Sequence, residues 1–123
     1  MSLHTEQAQE LQRAAERDRK TFRILLQSCD APIETTLFHA QQAIEKAIKA
    51  ALVERGIVFR RTHDLVELAE LAARQGIDLP VPMDLLMRLG PYAVEFRYLG
   101  VQAPAVTLNE ADAALEAMLN WLG

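Results

Sequence analysis

The stretch from Leu37 to Arg55 constrains this chain more than any other, because its apolar residues recur with a helical period. At about 100° per residue, Ile44, Ile48 and Leu52 share one face with several alanines. Flanking alanines widen that face to roughly half of the circumference, which is more than a one-sided surface helix needs. The sequence therefore predicts a helix that is covered on two sides and ends at Gly56.

The other face of this predicted helix is polar. It carries His39, Gln42, Lys46 and Lys49, while Gln41 lies inside the apolar arc. Because polar side chains on a largely covered helix need partners, these residues are the first places to search for a functional site.

One more helix is predicted before this central helix and one after it. A first amphipathic helix of about 24 residues runs between Thr5 and Ser28, and its Asp18, which lies among cations, is expected on a solvated face. After the central helix, Thr62 is the expected N-cap of a third helix, which closes at Gly76.

The last two helices are marked by proline and by a capping sequence. A fourth helix is predicted from Pro82 to about Gly100, with a kink or a split at Gly90-Pro91, because a proline ring clashes with the preceding turn. Thr107-x-x-Glu110 is the capping-box signature of a fifth helix. Since the connections are short, the predicted fold is an all-α, up-and-down four-helix bundle with an additional short helix.

Composition is typical of an ordinary globular protein, and we expect a single domain over residues 1–123. The net charge of -4 argues against a protein that coats nucleic acid indiscriminately. The single cysteine, Cys29, fits a reducing cytoplasm. No apolar run reaches the roughly 18 residues of a membrane span, so we expect a cytoplasmic protein without a membrane partner.

Several classes of chemistry lack their signatures in this sequence. Two-metal sites in helical bundles use Glu-x-x-His on facing helices, and that pattern does not occur. The phosphate-cradling glycine loop, the dinucleotide fingerprint and the Gly-x-Ser-x-Gly elbow do not occur either. We therefore expect neither a metal site nor a bound cofactor.

Cationic side chains gather at the predicted start of the third helix, where free N–H groups and the helix dipole favour an anion. The alternative is that Asp64 already satisfies this helix end and that the arginines are solvated. For Arg97 and Tyr98, near the end of the fourth helix, the alternative to anion binding is that they anchor the chain where it leaves the helix. The candidate nucleotide-binding or anion-binding residues are Arg60, Arg61, His63, Lys46, Arg97 and Tyr98.

His63 and His39 are the candidates for a catalytic histidine. In an up-and-down bundle the third helix should begin near the C-terminal end of the central helix, whereas His39 lies at its other end, about 24 Å away. We therefore expect that the two histidines do not share one site within a subunit. The alternative for His39 is a satisfied polar pair with Gln41 at a bundle or dimer seam.

Three motifs, taken in order, resemble the HEPN family (higher eukaryotes and prokaryotes nucleotide-binding domain). They are Phe38-His39-Ala40-Gln41-Gln42-Ala43-Ile44-Glu45-Lys46-Ala47-Ile48-Lys49-Ala50, Arg61-Thr62-His63-Asp64-Leu65 and Arg97-Tyr98. The resemblance covers nearly the whole chain. It implies a helical homodimer, often encoded beside a minimal nucleotidyltransferase as a toxin and antitoxin pair, with a nucleotide or RNA as a possible ligand.

Some HEPN proteins are metal-independent ribonucleases through an Arg-x(4-6)-His motif at a dimer cleft, where the cation stabilises phosphate charge and the imidazole moves a proton. Here seven residues separate Arg55 from His63, two separate Arg60 from His63, and no histidine follows Arg97. The sequence therefore favours a non-catalytic module that binds a nucleotide or other polyanion, or pairs with a minimal nucleotidyltransferase. Two alternatives stay open: a ribonuclease toxin acting at a dimer cleft, and a purely structural dimerisation domain.

Overall fold

The computed structural model describes residues 3–94 and 106–123, and these residues form helices without a strand. Their arrangement confirms the predicted all-α bundle with one additional short helix. In chain order the elements are α1 (Leu3–Leu26), α2 (Ile33–Glu54), α3 (Leu65–Arg74), α4 (Met83–Leu89), a 3-10 helix (Gly90–Ala93) and α5 (Leu108–Leu122).

The bundle is built around α2, which packs against α1, α3, the 3-10 helix and α5. Ile44, Ile48 and Leu52 of α2 are fully buried, and Phe22 of α1 and Met118 of α5 meet them in the same core. The prediction that α2 is covered on two sides is therefore confirmed. Because only a narrow strip of α2 still reaches solvent, the polar side chains on that strip are the ones that can act.

Left-handed glycines end α2 and α3, as predicted. Gly56 has a φ of 70°, and the N–H of Ile57 donates to the Leu52 carbonyl oxygen over 3.0 Å. Gly76 has a φ of 79° and closes α3 in the same way. Glycine adopts this conformation without the steric penalty of a Cβ, so both helices stop where the sequence places the glycine.

The predicted N-cap of α3 is wrong by two residues. The Asp64 side chain, not that of Thr62, accepts hydrogen bonds from the N–H groups of Val66 and Glu67, over 3.0 and 3.2 Å. Thr62 instead accepts from the Asp64 N–H over 3.0 Å, which fixes the turn just before the helix. The alternative that Asp64 satisfies this helix end is therefore what the structure shows.

The connection from α2 to α3 runs back along α2. The Lys49 ammonium lies 5.9 Å from the ring centroid of Phe59, and the Gln41 amide donates to the His63 carbonyl oxygen over 3.3 Å. Later residues of the connection thus lie beside earlier residues of α2. The expectation that α3 begins near the C-terminal end of α2 is wrong, because an extended chain covers about 3.3 Å per residue and so retraces several helical turns.

The predicted interruption at Gly90-Pro91 is confirmed. α4 ends at Leu89 and continues as the 3-10 helix, which contains Pro91 in its first turn. The helical spacing of Met83, Leu86 and Leu89 predicts that all three pack inward. Leu86 and Leu89 are buried as predicted, but the prediction is wrong for Met83, which is 38% exposed in the first turn of α4. The rest of the predicted fourth helix lies outside the described residues, including the candidate site residues Arg97 and Tyr98.

The capping box of α5 forms as predicted. The Glu110 N–H donates to the Thr107 hydroxyl, and the Thr107 N–H donates to the Glu110 carboxylate, each over 3.0 Å. This backbone hydrogen bond, with the nearby Arg88 guanidinium, lowers the pKa of Glu110. In the part of the chain that the structure describes, no helix is long and apolar enough to cross a bilayer.

Candidate functional site

A buried carboxylate on α2 organises the candidate site. The Glu45 residue is 2% exposed, and its carboxylate accepts from the Gln41 amide and from the Lys49 ammonium, both over 3.0 Å. His63 adds a third contact, with its Nδ1 3.1 Å from Glu45 Oε2. We call Gln41, Glu45, Lys49 and His63 the His63 cluster.

Sequence reasoning named the histidine, the glutamine and the lysine of this cluster but missed Glu45 as a functional residue. Glu45 lies one helical turn after Gln41, and Gln41 projects into the apolar arc of α2. A carboxylate one turn from a buried amide, followed one turn later by Lys49, was the signal available. Its burial depends on the returning connection, which helical periodicity does not predict.

The imidazole of His63 points in two directions. Nδ1 faces the buried Glu45 carboxylate, while 64% of the side chain is exposed to solvent. Because a carboxylate accepts from Nδ1–H, the neutral ring presents Nε2 outward as an acceptor, and the protonated ring presents Nε2–H as a donor. The Nδ1 side of the His63 ring is therefore held by Glu45, and the rest of the ring is open to solvent.

A cleft of about 530 Å³ lies in front of His63, between the start of α3 and the region from α4 to the 3-10 helix. Apart from His63 and Asp64 its walls are apolar. Ligand sites commonly have this size and combine apolar walls with a few polar groups. The lining residues are His63, Asp64, Val66, Leu86, Met87, Gly90, Pro91, Ala93 and Val94.

The two candidate arginines before α3 behave differently. Arg60 makes two hydrogen bonds to the Glu67 carboxylate, over 2.6 and 2.7 Å, and this carboxylate raises the pKa of the Arg60 guanidinium. Arg61 is exposed and makes no hydrogen bond or ion pair with the other described residues. Of these two cations, Arg61 is the one available to a ligand.

A second histidine, His39, is paired with a carboxylate in a similar way where α1 and α2 pack together. Asp18 contacts His39 Nδ1 over 3.1 Å and the Lys46 ammonium over 2.5 Å, and its side chain is 14% exposed. The expectation that Asp18 lies on a solvated face is wrong, because α2 covers it and supplies two partners. We call Asp18, His39 and Lys46 the His39 cluster.

The two clusters are separate but neighbouring. The Gln42 amide donates to Gln41 over 2.7 Å, and Gln41 in turn donates to Glu45, so hydrogen bonds lead from the exposed strip of α2 into the His63 cluster. The expected spacing of about 24 Å between the two histidines is wrong. His63 lies beside Gln41 and Glu45, which are two and six residues from His39 along α2.

The candidate residues thus divide into three groups. His63 lines the cleft and Arg61 is exposed two residues before it, Arg60 is paired with Glu67, and Lys46 belongs to the His39 cluster. The positions of Arg97 and Tyr98 fall outside residues 3–94 and 106–123. Within those ranges, no three side chains of the metal-ligating types come close enough together to form a metal site.

Comparison with known proteins gives two matches and one negative result. Residues 8–122 match the family model described as HEPN domain. Over 47 residues, which are 38% of this chain and 30% of the relative, the sequence is 43% identical to the Methanocaldococcus jannaschii protein named "Putative toxin MJ1304". The matched segment therefore spans less than a third of that relative. No solved structure matches the chain.

Proposed function

The chain belongs to the HEPN family, and from that premise we propose that it is a toxin-like module that binds a nucleotide or a related polyanion in the cleft beside His63. The observation that carries this proposal is the imidazole of His63, held from behind by Glu45 and exposed at the rim of an apolar cleft. The His63 imidazole at the edge of the cleft is suited to bind a phosphate, and the apolar walls of the cleft are suited to bind a nucleobase.

The phosphate end of the ligand is assigned to the rim. Arg61 is exposed, positively charged and two residues from His63. A guanidinium and an imidazolium both donate charge-assisted hydrogen bonds to phosphate oxygens. The negative charge of Glu45 lies behind His63, where Lys49 compensates it, so it opposes the anion only weakly.

The nucleoside end is assigned to the walls of the cleft. Val66, Leu86 and Met87 supply apolar surface on both sides, and the volume of about 530 Å³ lies within the range of small-molecule sites. Thioether side chains such as Met87 pack favourably against aromatic rings, which suits a nucleobase. The apolar walls lie next to His63 and the segment that carries Arg61, so base and phosphates would each meet a suitable surface. Asp64 also lines the cleft, and its carboxylate is engaged in capping α3.

The direct test is calorimetric titration of the protein with ADP. We expect Arg61→Ala and His63→Gln each to weaken binding by about tenfold or more, because each removes a charge-assisted contact. Arg74→Ala is the matched control, since Arg74 is an exposed arginine in the last turn of α3, away from the cleft. A thermal shift gives a second readout, since ligand at 100 times its Kd stabilises by about 2.7 kcal/mol.

Absence of binding by the wild-type protein, or equal affinity for Arg61→Ala and Arg74→Ala, would contradict this assignment. Titration with AMP and ATP extends the test. If the rim binds phosphates, affinity rises with the number of phosphates and falls with added salt.

We further propose that the module forms a homodimer and pairs with a minimal nucleotidyltransferase as a toxin and antitoxin couple. Membership of the HEPN family and the similarity to a protein named as a toxin support this proposal. Coexpression with a minimal nucleotidyltransferase from the same genome, followed by light scattering, tests both parts. We expect a complex that contains two copies of this chain, and a strict monomer that ignores the transferase would contradict it.

One observation favours a second candidate function, metal-independent cleavage of RNA. An exposed imidazole backed by a buried carboxylate is suited to proton transfer, and Arg61 beside it could stabilise phosphate charge. RNA cleavage in EDTA should then be lost in His63→Ala and kept in His39→Ala. Equal activity of the wild type and both variants indicates a contaminating nuclease and removes this candidate.

A further inference from the structure

We propose that Glu45 is a positioning residue, which directs Nε2 of His63 into the cleft and couples ligand binding to the uptake of one proton. This inference deepens the proposed function and rests on it. It concerns a residue that never touches the ligand, because the carboxylate lies behind the imidazole and is almost fully covered.

The first step is the burial of Glu45. Its side chain is 3% exposed, and a carboxylate that is buried without partners is strongly unfavourable. Lys49 supplies one full positive charge, and Gln41 supplies one neutral hydrogen bond. These two partners already satisfy much of the carboxylate, yet both oxygens also lie 3.1 and 3.3 Å from His63 Nδ1.

The second step is the orientation of His63. The Gln41 amide also donates to the His63 carbonyl oxygen, so one side chain holds the backbone of His63 and the carboxylate that contacts its ring. Backbone and ring are therefore fixed together, although the ring is largely exposed. A ring that was free to rotate would lose more entropy on binding a ligand.

The third step is the protonation of His63 when the ligand binds. With Nδ1–H donated to Glu45, a neutral His63 offers only a lone pair at Nε2, and a lone pair repels a phosphate oxygen. Protonation at Nε2 converts that acceptor into a donor and gives the alternating order carboxylate, imidazolium, phosphate. The proton comes from solvent and stays on Nε2 while the ligand is bound.

The charged groups around His63 set the context for this step. Glu45 and Lys49 face it from α2, and Arg61 and Asp64 flank it on its own segment. The walls of the cleft on the α3 and α4 sides present Val66, Leu86 and Met87, which do not ionise.

The first experiment reads the tautomer of His63 in the ligand-free protein by nitrogen NMR. The sequence has three histidines, so His4→Gln and His39→Gln variants assign the signals. We expect the wild type to show the Nδ1–H form of His63 when neutral, and Glu45→Gln to weaken that preference. Asp18→Asn is the matched control, because it removes the carboxylate partner of His39 and leaves His63 unchanged.

The wild-type signal alone can overturn the inference. A predominantly Nε2–H form of neutral His63 would mean that Glu45 does not orient the ring, whether or not any variant folds. A Glu45→Gln protein that keeps its helical circular dichroism and leaves the tautomer unchanged would have the same meaning.

The second experiment measures ADP binding at pH 6 and pH 8. We expect about tenfold weaker binding at the higher pH, and net proton uptake when the titration is repeated in buffers of different ionisation enthalpy. Glu45→Gln should weaken binding at pH 6 by about tenfold and flatten the pH dependence, while Asp18→Asn should do neither.

The possible failures can be told apart. If wild-type protein does not bind ADP, the proposed function fails together with the proton linkage, while the NMR result still decides whether Glu45 orients His63. If ADP binds with no proton uptake, or if Glu45→Gln binds as the wild type does, the proposed function stands and this inference is overturned.

Discussion

The His63 cluster and the His39 cluster combine the same three kinds of side chain, and each takes two of them from α2. His63 comes from the connection before α3, and Asp18 comes from α1. Each joins a carboxylate to a histidine Nδ1 and to a lysine ammonium. They differ in exposure. The His63 side chain is 64% exposed over a carboxylate that is 3% exposed, whereas His39 is 25% exposed over a carboxylate that is 14% exposed.

This difference separates a structural contact from a candidate site. In the His39 cluster the charges lie between α1 and α2, and His39 does not line the cleft. In the His63 cluster the carboxylate is deep, the imidazole is open, and an apolar cleft lies in front of it. The side-chain chemistry alone therefore does not identify the site. The site is identified by the burial of the Glu45 carboxylate and by the cleft that lies beyond the His63 imidazole.

The largest expected effect is on the helix that holds both clusters. Ile48→Ala removes a fully buried side chain from the centre of α2 and should destabilise the protein by about 2 to 5 kcal/mol. Chemical denaturation measures this change. Since α2 supplies residues to both clusters, His39 and His63 should lose their NMR signatures together, and loss at one cluster alone would show that they are stabilised independently.

The next largest effect compares the two lysines. Lys49→Met leaves the buried Glu45 with less compensation and should cost about 2 kcal/mol, whereas Lys46→Met removes a more exposed contact to Asp18 and should cost less than about 1 kcal/mol. Urea unfolding of both variants at neutral pH gives the comparison. Equal costs would contradict the claim that only one of the clusters contains a deeply buried charge.

A smaller effect separates stability from binding. Asp64→Ala removes the cap of α3 beside the cleft, and Thr107→Ala removes the cap of α5 away from His63. Each should cost about 1 kcal/mol of stability, because each leaves helix N–H groups without a partner. Only Asp64→Ala should also change the affinity for ADP in calorimetry, because Asp64 lines the cleft and Thr107 does not. If both variants bind equally well, the start of α3 does not shape the site.

The smallest effect is the response of an exposed carboxylate to acid. The pKa of Glu110 is lowered from its ordinary value of 4.5, so its contribution to stability is complete above that value and is lost as the pH falls through the folded-state value. Glu110→Gln should therefore reduce the drop in Tm between about pH 5 and about pH 3. This variant gives the background for any pH effect assigned to the His63 cluster, and it should leave ADP binding unchanged.

Much of the fold could be predicted because its signals are local. The period of Ile44, Ile48 and Leu52, the glycines after α2 and α3, and the Thr107 capping box each act within a few residues. Short-range hydrogen bonding and side-chain periodicity are sufficient to place them. The error at Thr62 shows the limit, since Thr62 and Asp64 are both good caps and only the backbone turn between them selects Asp64.

The site was less predictable because its contacts are distant along the chain. Glu45 and His63 are 18 residues apart, and Asp18 and His39 are 21 apart. Helical periodicity places each residue on a face but does not say which segment covers that face. The path of residues 57–64 decides this for Glu45, and no local pattern encodes that path.

That path has a consequence for how sequences of this type can change. Residues 57–64 run back along α2, so the length of this connection determines which turn of α2 the His63 imidazole contacts. Removing or adding one residue would shift His63 by about 3.3 Å and carry it away from its carboxylate, with little change in the bundle itself. Natural or engineered variation in this segment should therefore be in side chains rather than in length.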